Sequence, residues 1–543
     1  MKLRKHLRRT ASLVLAAAVL GAFSGCEDDV PHPENQIIEY KLTAEPLSLD
    51  PQIAEDSASV ILIKNLFEGL VRENADGELV SGAAKSWDIS DSGTVYTFHL
   101  QDTKWSDGTP VKADDFVFGI TRALDPVTRS KNAPDLFLID NAQQYAAGKA
   151  AANDVGIKAI DDKTLEITLE YPSDNLLNVL TLPAAMPCSR EFFETSKGKY
   201  GKDPELVITN GPFRIRENYG WDHNKYIYIR RSENYECDNK ALPLGVNFTI
   251  GDAPADPIAA IDSGECDICE IYGNQLARAQ EKEFPVETTS NTLWGICYNT
   301  DIKAFKNAKL RVSLLGSLDR EELLSEVPES YVKTSQLIAD NISFGGKVYR
   351  KEVGDFKLDR AQSPEQMYSK ALGELADNEI ELKKTYTIIC LDDDASSKIV
   401  TKLIAGWNEI TGSYFNKEAL PRTELLARIS SGDYEIAVAP LNTAVDSPME
   451  FLSSFKSDSM SNAINLNYPA YDGFIDSALS ADSVDKTITS LASAEEYLIE
   501  YGYLYPLYYE SRYFASAQNV SGTIFDSTSD AIDFTCTAKI VEE

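Results

Sequence analysis

NLFEGL (Asn65–Leu70), SWDIS (Ser86–Ser90), YTFHLQDTKWSDGTPVKADDF (Tyr96–Phe116) and TRALDP (Thr121–Pro126) fall within one stretch, Asn65 to Pro126. Val60, Ile63, Phe67, Leu70 and Val71 recur at helical spacing and predict one apolar stripe. Tyr96, Phe98 and Leu100 alternate with Thr97 and His99, the period of a half-buried strand. Ser106-Asp107-Gly108-Thr109-Pro110 is turn chemistry, because Gly supplies a positive φ and Pro fixes a negative one. Phe116, Ile120 and Ala123 then restart a helical stripe.

Outward from this block, the N-terminus reads as an export signal. Lys2, Arg4, Lys5, Arg8 and Arg9 precede a short apolar run, Leu13 to Phe23, too short to span a bilayer. Phe23-Ser24-Gly25-Cys26 resembles a lipobox, in which the Cys26 thiol receives a diacylglyceryl group. Residues 1–25 are therefore expected to be a signal peptide and 26–35 a proline-containing tether (Pro31, Pro33). Removing the five basic residues moves the formal charge from −33 to −38. Such a charge argues against nucleic acid and against anionic lipid surfaces, and otherwise serves solubility.

Seven cysteines remain after Cys26: Cys188, Cys237, Cys266, Cys269, Cys297, Cys390 and Cys536. An odd number in so long a chain is no disulfide scaffold, and buried reduced thiols are expected. Cys266-Asp267-Ile268-Cys269 has redox or zinc spacing, but without a second such pair it reads as two core or strand cysteines. Asp392-Asp393-Asp394 lacks the glycine of a calcium loop and reads as a solvated turn. No nucleophile elbow, zinc helix, phosphate loop or dinucleotide fingerprint occurs. Only His32, His99 and His223 follow the signal segment, which leaves a histidine-based hydrolase or metal carrier few candidates. No catalytic residue, cofactor or metal is expected.

Further along, Ile37–Leu42, Leu165–Leu169, Tyr226–Arg230, Tyr386–Leu391 and Tyr434–Ala439 read as strands. Ile258–Gly264, Lys309–Leu318, Ile399–Ile410, Thr423–Ile429 and Glu495–Tyr501 read as helices, which makes the chain α/β. Gly345 to Gln366 is polar and poorly periodic and reads as an exposed loop.

The opening motifs resemble, in order, those of the extracellular solute-binding proteins of peptide-type ABC importers, family 5. VITNGPFRI (Val207–Ile215), SGECDI (Ser263–Ile268), SLDREEL (Ser317–Leu323), GDYEIAVA (Gly432–Ala439), SPMEFL (Ser447–Leu452) and YPLYYE (Tyr505–Glu510) extend the resemblance across the chain. It implies a periodic plan: a bilobal, type II (cluster C) periplasmic-binding-protein-like fold with a small third lobe. Lobe I would comprise 36–58, 173–290 and 505–543, lobe II 59–172 and lobe III 291–504. Ligand would be enclosed between lobes I and III by hinge closure. A monomer is expected, lipid-anchored outside the cytoplasmic membrane (in the periplasm of a two-membrane organism) and serving a permease heterodimer with cytoplasmic ATPases.

The resemblance also implies where a short peptide would sit. Glu55, Asp56 and Ser57 would offer one backbone edge, and Leu441, Asn442, Thr443 and Ala444 the other. The family's acid for the peptide ammonium is replaced by Ala444, so either Asp446 serves it or the ligand lacks a free amine. The run Glu55-Asp56 could also face a cationic group, with Phe118, Trp294 and Tyr508 as aromatic walls. The alternatives are a non-peptide or blocked-peptide solute in the same fold, an extracellular enzyme, or a sensory lipoprotein.

Overall fold

The structure, a computed structural model, describes residues 36–540 apart from 75–77, 174, 236, 238–239, 273–274, 329–330, 341, 357–362, 413, 442–446, 482 and 527–530. The expected signal segment, Cys26 and the tether lie outside the described residues. No helix among those described is long and apolar enough to cross a membrane.

Two strands organise the molecule. Val286–Tyr298 and Leu504–Ser516, each 13 residues, pair antiparallel along most of their length. At one end Leu504–Ser516 pairs with Ile268–Ile271, and the sheet continues through Ile37–Leu42, Gly245–Ile250, Tyr226–Arg231 and Phe213–Ile215. At the other end Val286–Tyr298 pairs with Ile436–Pro440, followed by Thr385–Leu391 and Tyr414–Leu420. One sheet thus has two halves joined through two long strands, whose register slips between Thr289 and Thr292.

Strands Ala84–Ile89 and Val95–Leu100 of the opening block join Thr164–Thr168 and Ile157–Asp161 in a separate four-stranded sheet. Tyr96, Phe98 and Leu100 are buried as their period requires, and helix Ala113–Leu124 buries Phe116, Ile120 and Ala123. The turn closes with the Trp105 amide donating to the Thr109 carbonyl at 2.8 Å and Gly108 at φ 88°.

The motif residues fasten segments far apart in sequence. Asn65 Nδ2 donates to the carbonyl of Ile532 (2.7 Å), and the Phe534 amide donates to Asn65 Oδ1 (2.9 Å). Asn210 and Glu68 exchange hydrogen bonds of 2.9 and 3.1 Å. A side chain on Gly211 would meet the Leu66 backbone at 2.6 Å, so only glycine admits that approach. Arg72 reaches Glu68 at 3.1 Å and Asp533 at 2.5 Å, all three buried. Burial alone would raise the Asp533 pKa, but the Arg72 guanidinium holds it below the usual range. Helix Ser57–Leu66 packs on strands Phe213–Ile215 and Ile532–Asp533.

Two sequence readings are corrected. Gly345–Gln366 is not simply an exposed loop: Tyr349 and Arg350 are buried in a short helix, Tyr349–Val353. The reason is Glu495, buried on helix Val484–Glu500, which Arg350 neutralises at 2.6 Å. Cys266 and Cys269 are buried as expected, yet they form a disulfide rather than two thiols. Gly264 (φ 73°) ends helix Pro257–Ser263 between them and that helix, which brings the two side chains together over Asp267 and Ile268. Cys188, Cys297 and Cys390 are buried free thiols, and burial pushes Cys188 and Cys297 up to about 12.

Candidate functional site

One face of strand Leu504–Ser516 carries Tyr508, Glu510 and Arg512, because side chains two apart in a strand point the same way. Trp294 lies opposite Tyr508 on the neighbouring strand, and their rings stack at 6.2 Å and 13°. Tyr331 stacks on Tyr508 at 5.4 Å. The Trp294 indole Nε1 donates to Glu510 Oε2 at 2.8 Å, and Arg422 donates to the same carboxylate at 3.1 and 3.3 Å. The Arg422 guanidinium also lies 5.7 Å from the Trp294 ring centre, a cation–π contact. Burial pushes the Tyr331 phenol up to about 12, and burial with the Asp393 and Glu510 charges pushes Tyr508 higher still. Both phenols therefore stay neutral and able to donate.

At the other end of the same face, Arg512 holds Glu270 through two hydrogen bonds of 2.8 and 3.0 Å. This pair closes one wall of a cavity of about 120 Å³ lined also by Leu42, Thr43, Ser57 and Pro254. Tyr508 to Arg512 spans roughly 13 Å at the strand rise, the length of about four extended residues. A buried aromatic stack, two partly exposed ion pairs and a cavity therefore lie along one line.

Ser57 sits at that cavity as the first residue of helix Ser57–Leu66. Asp56 is committed to the helix N-terminus: its carboxylate accepts from the Ser59 amide at 2.9 Å and from Ser59 Oγ at 2.6 Å. Glu55 pairs with Lys131 at 2.7 Å. The structure thus does not offer Glu55-Asp56 as a free acidic run. Phe118 lies in a different cluster, 5.7 Å from Phe193 and 4.1 Å under Arg190. Trp294 and Tyr508 are brought together as one stack. Leu441 donates its amide to the Leu293 carbonyl at 2.7 Å, and Pro440 lies across from Trp294. Asn442, Thr443, Ala444 and Asp446 lie outside the described residues.

Sequence reasoning missed Glu510, Arg512, Tyr331, Arg422 and Glu270. The first two were reachable by stepping in twos from Tyr508. The other three join through long-range packing that no local spacing announces.

Elsewhere, His99 bonds Asp88 at 2.9 Å and His223 bridges Glu45 and Asp203 at 2.7 and 3.1 Å. Burial would lower the His223 pKa, but those two carboxylates raise it. Among the described residues no group of His, Cys, Asp and Glu is placed to hold a metal ion.

Residues 78–463 match the family model described as bacterial extracellular solute-binding proteins, family 5 Middle. The oligopeptide-binding protein OppA of Bacillus subtilis (strain 168) is 26% identical over 532 residues, covering 96% of each chain. The probable deoxycholate-binding periplasmic protein YgiS of Escherichia coli (strain K12) is 27% identical over 512 residues, covering 93% of this chain and 94% of that one. The substrate-binding domain of an oligopeptide ABC transporter from Bacillus anthracis superposes with a TM-score of 0.77 at 25% identity, covering 93% of this chain and 99% of that one. The fold is the α/β bilobal type II arrangement of periplasmic binding proteins. The chain belongs to the bacterial extracellular solute-binding proteins, family 5.

Proposed function

We propose that the chain is the capture component of an ABC importer and that its cargo is a short peptide. The observation that carries this reading is the line Tyr508–Glu510–Arg512 along one strand face, with Trp294 stacked on Tyr508 from the neighbouring strand. Glu510 and Arg512 lie two residues apart, roughly 7 Å at the strand rise, and their two ion pairs can exchange partners with the ends of a short ligand. The peptide ammonium competes with Arg422 for Glu510, which supplies the acid missing at Ala444. The carboxylate competes with Glu270 for Arg512, and side chains rest on Trp294 and Tyr331. The name of the Bacillus subtilis relative and the peptide-transporter structure support the same cargo.

The two long strands act as the hinge, with lobe I drawn from 36–58, 173–290 and 505–543, lobe III from 291–504 and lobe II from 59–172. Cys26 carries the lipid that holds the monomer on the outer face of the membrane, where it delivers cargo to a permease pair driven by ATPases. A second reading, an apolar solute without an amine, draws on Ala444, on the aromatic stack and on the name of the Escherichia coli relative.

Incubating the purified protein with a pool of di- to hexapeptides, desalting it and releasing the bound fraction for mass spectrometry tests the proposal. Recovery of intact peptides supports it. Cleaved peptides, or retention of bile acids but no peptide from a mixed pool, would sink it.

A further inference from the structure

A second cavity, of about 230 Å³, lies away from the strand face and shares no lining residue with the first. One side comes from the segment beside the small sheet: Pro134, Asp135, Phe137 and Leu138. The other comes from helices Pro448–Ser453 and Pro469–Leu479, through Ser453 and Leu479.

Its charged wall is almost fully partnered. Glu170 accepts the Asn141 amide at 2.8 Å, and Glu450 accepts from Ser447, from Tyr171 (3.3 Å) and from Ser173 (3.2 Å). Lys456 lies 3.7 Å from Asp458 and 2.8 Å from Asp476. Two groups differ. Asp135 is partly buried and pairs with no cation among the described residues, and desolvation pushes its carboxyl up to about 7. Ser453 Oγ is buried without a hydrogen-bond partner. An unpaired buried polar atom is costly, so Ser453 Oγ beside an unpaired carboxylate marks a place for a ligand.

We propose that this cavity is a second ligand site that takes a small organic cation. Its ammonium would pair with Asp135 and receive the Ser453 hydroxyl region as its polar edge, while its apolar body lies against Phe137, Leu138 and Leu479. Four lining carboxylates against one lysine favour a cation over an anion. Water alone would satisfy the polar groups but would wet the apolar walls, which gain from an apolar body instead. The site lies where residues flanking the small sheet meet the Pro448–Ser453 helix, so an occupant touches both.

Calorimetric titration of the full chain with phenethylammonium chloride at about pH 8, where both charges are present, tests this. Saturable one-to-one binding is expected, at least tenfold weaker in Asp135→Asn and weaker in Ser453→Ala, with unchanged peptide retention in both. Affinity should fall as pH drops below about 7 and Asp135 takes up a proton. The anion of the same shape, 3-phenylpropionate, should not bind. No saturable binding by the parent protein, equal affinity in a folded Asp135→Asn variant, or equal binding of the anion would overturn the site. If Asp135→Asn does not fold, the Ser453→Ala titration and the anion control decide alone.

Discussion

The block Asn65–Pro126 and the strand face around Tyr508 differ in what their polar residues do. In the block the polar side chains Asn65, Glu68 and Arg72 are spent on structure: Asn65 ties down the segment Ile532–Phe534, and Glu68 and Asp533 share Arg72. Along Leu504–Ser516 the charges Glu510 and Arg512 are 16% and 22% exposed, and their partners Arg422 and Glu270 are 45% and 43% exposed. Buried pairs fix a shape, because nothing outside can replace their partners. Exposed pairs are weak and exchangeable, which is what a ligand site requires. The most recognisable part of the sequence is therefore the scaffold, and the less recognisable part carries the proposed binding face.

Substitutions should separate the two regions. The largest effect is expected from Arg72→Ala, which leaves Glu68 and Asp533 buried without their cation and costs about 3–5 kcal/mol in denaturant unfolding. The folded fraction should retain its ligand affinity; a matching loss of affinity would erase the distinction. Next, Asp135→Asn should stabilise the unliganded protein at about pH 8 by roughly 1–2 kcal/mol, because an unpaired, partly buried charge is removed. The sign follows from a folded-state pKa raised to about 7: the carboxyl's contribution is favourable below its unfolded value and is lost as pH rises through about 7. The gain should vanish near pH 4, and a gain independent of pH would show that charge is not the cause.

Arg422→Ala removes an exposed partner and should change unfolding by less than about 0.5 kcal/mol. Peptide affinity should nevertheless shift about tenfold, roughly 1.4 kcal/mol, since Glu510 loses its competitor. A large stability loss with unchanged affinity would place Arg422 with the scaffold. The smallest effect belongs to His223→Gln. The His223 pKa is raised by Glu45 and Asp203, so its stabilisation is complete below about pH 6.5 and disappears as pH rises through the folded value. With its side chain 46% exposed, solvent screening limits this to less than about 0.5 kcal/mol.

The scaffold was legible because its signals are local. The alternation of Tyr96, Phe98 and Leu100, the Asp-Gly turn at Asp107-Gly108 and the stripe Phe116–Ala123 each need only a few neighbouring residues, and each took its expected form. The site was legible only in its aromatics. Trp294 and Tyr508 were singled out separately, but their stacking depends on the register of strands more than 200 residues apart in sequence. Asp56 looked like a charge for a ligand, whereas Ser59 makes it a helix cap. Tyr349 and Arg350 looked loop-like because the carboxylate that buries them, Glu495, lies far along the chain.

The central claim is that the face Tyr508–Glu510–Arg512 holds a short peptide through its ends. Calorimetric titration of the purified protein with one retained short peptide, in free-amine and N-acetylated forms, tests it most directly. The account predicts one-to-one binding of the free amine at micromolar affinity or better, at least tenfold weaker after acetylation, and loss of that difference in Glu510→Gln. Equal binding of both forms, or a difference that survives Glu510→Gln, would contradict it.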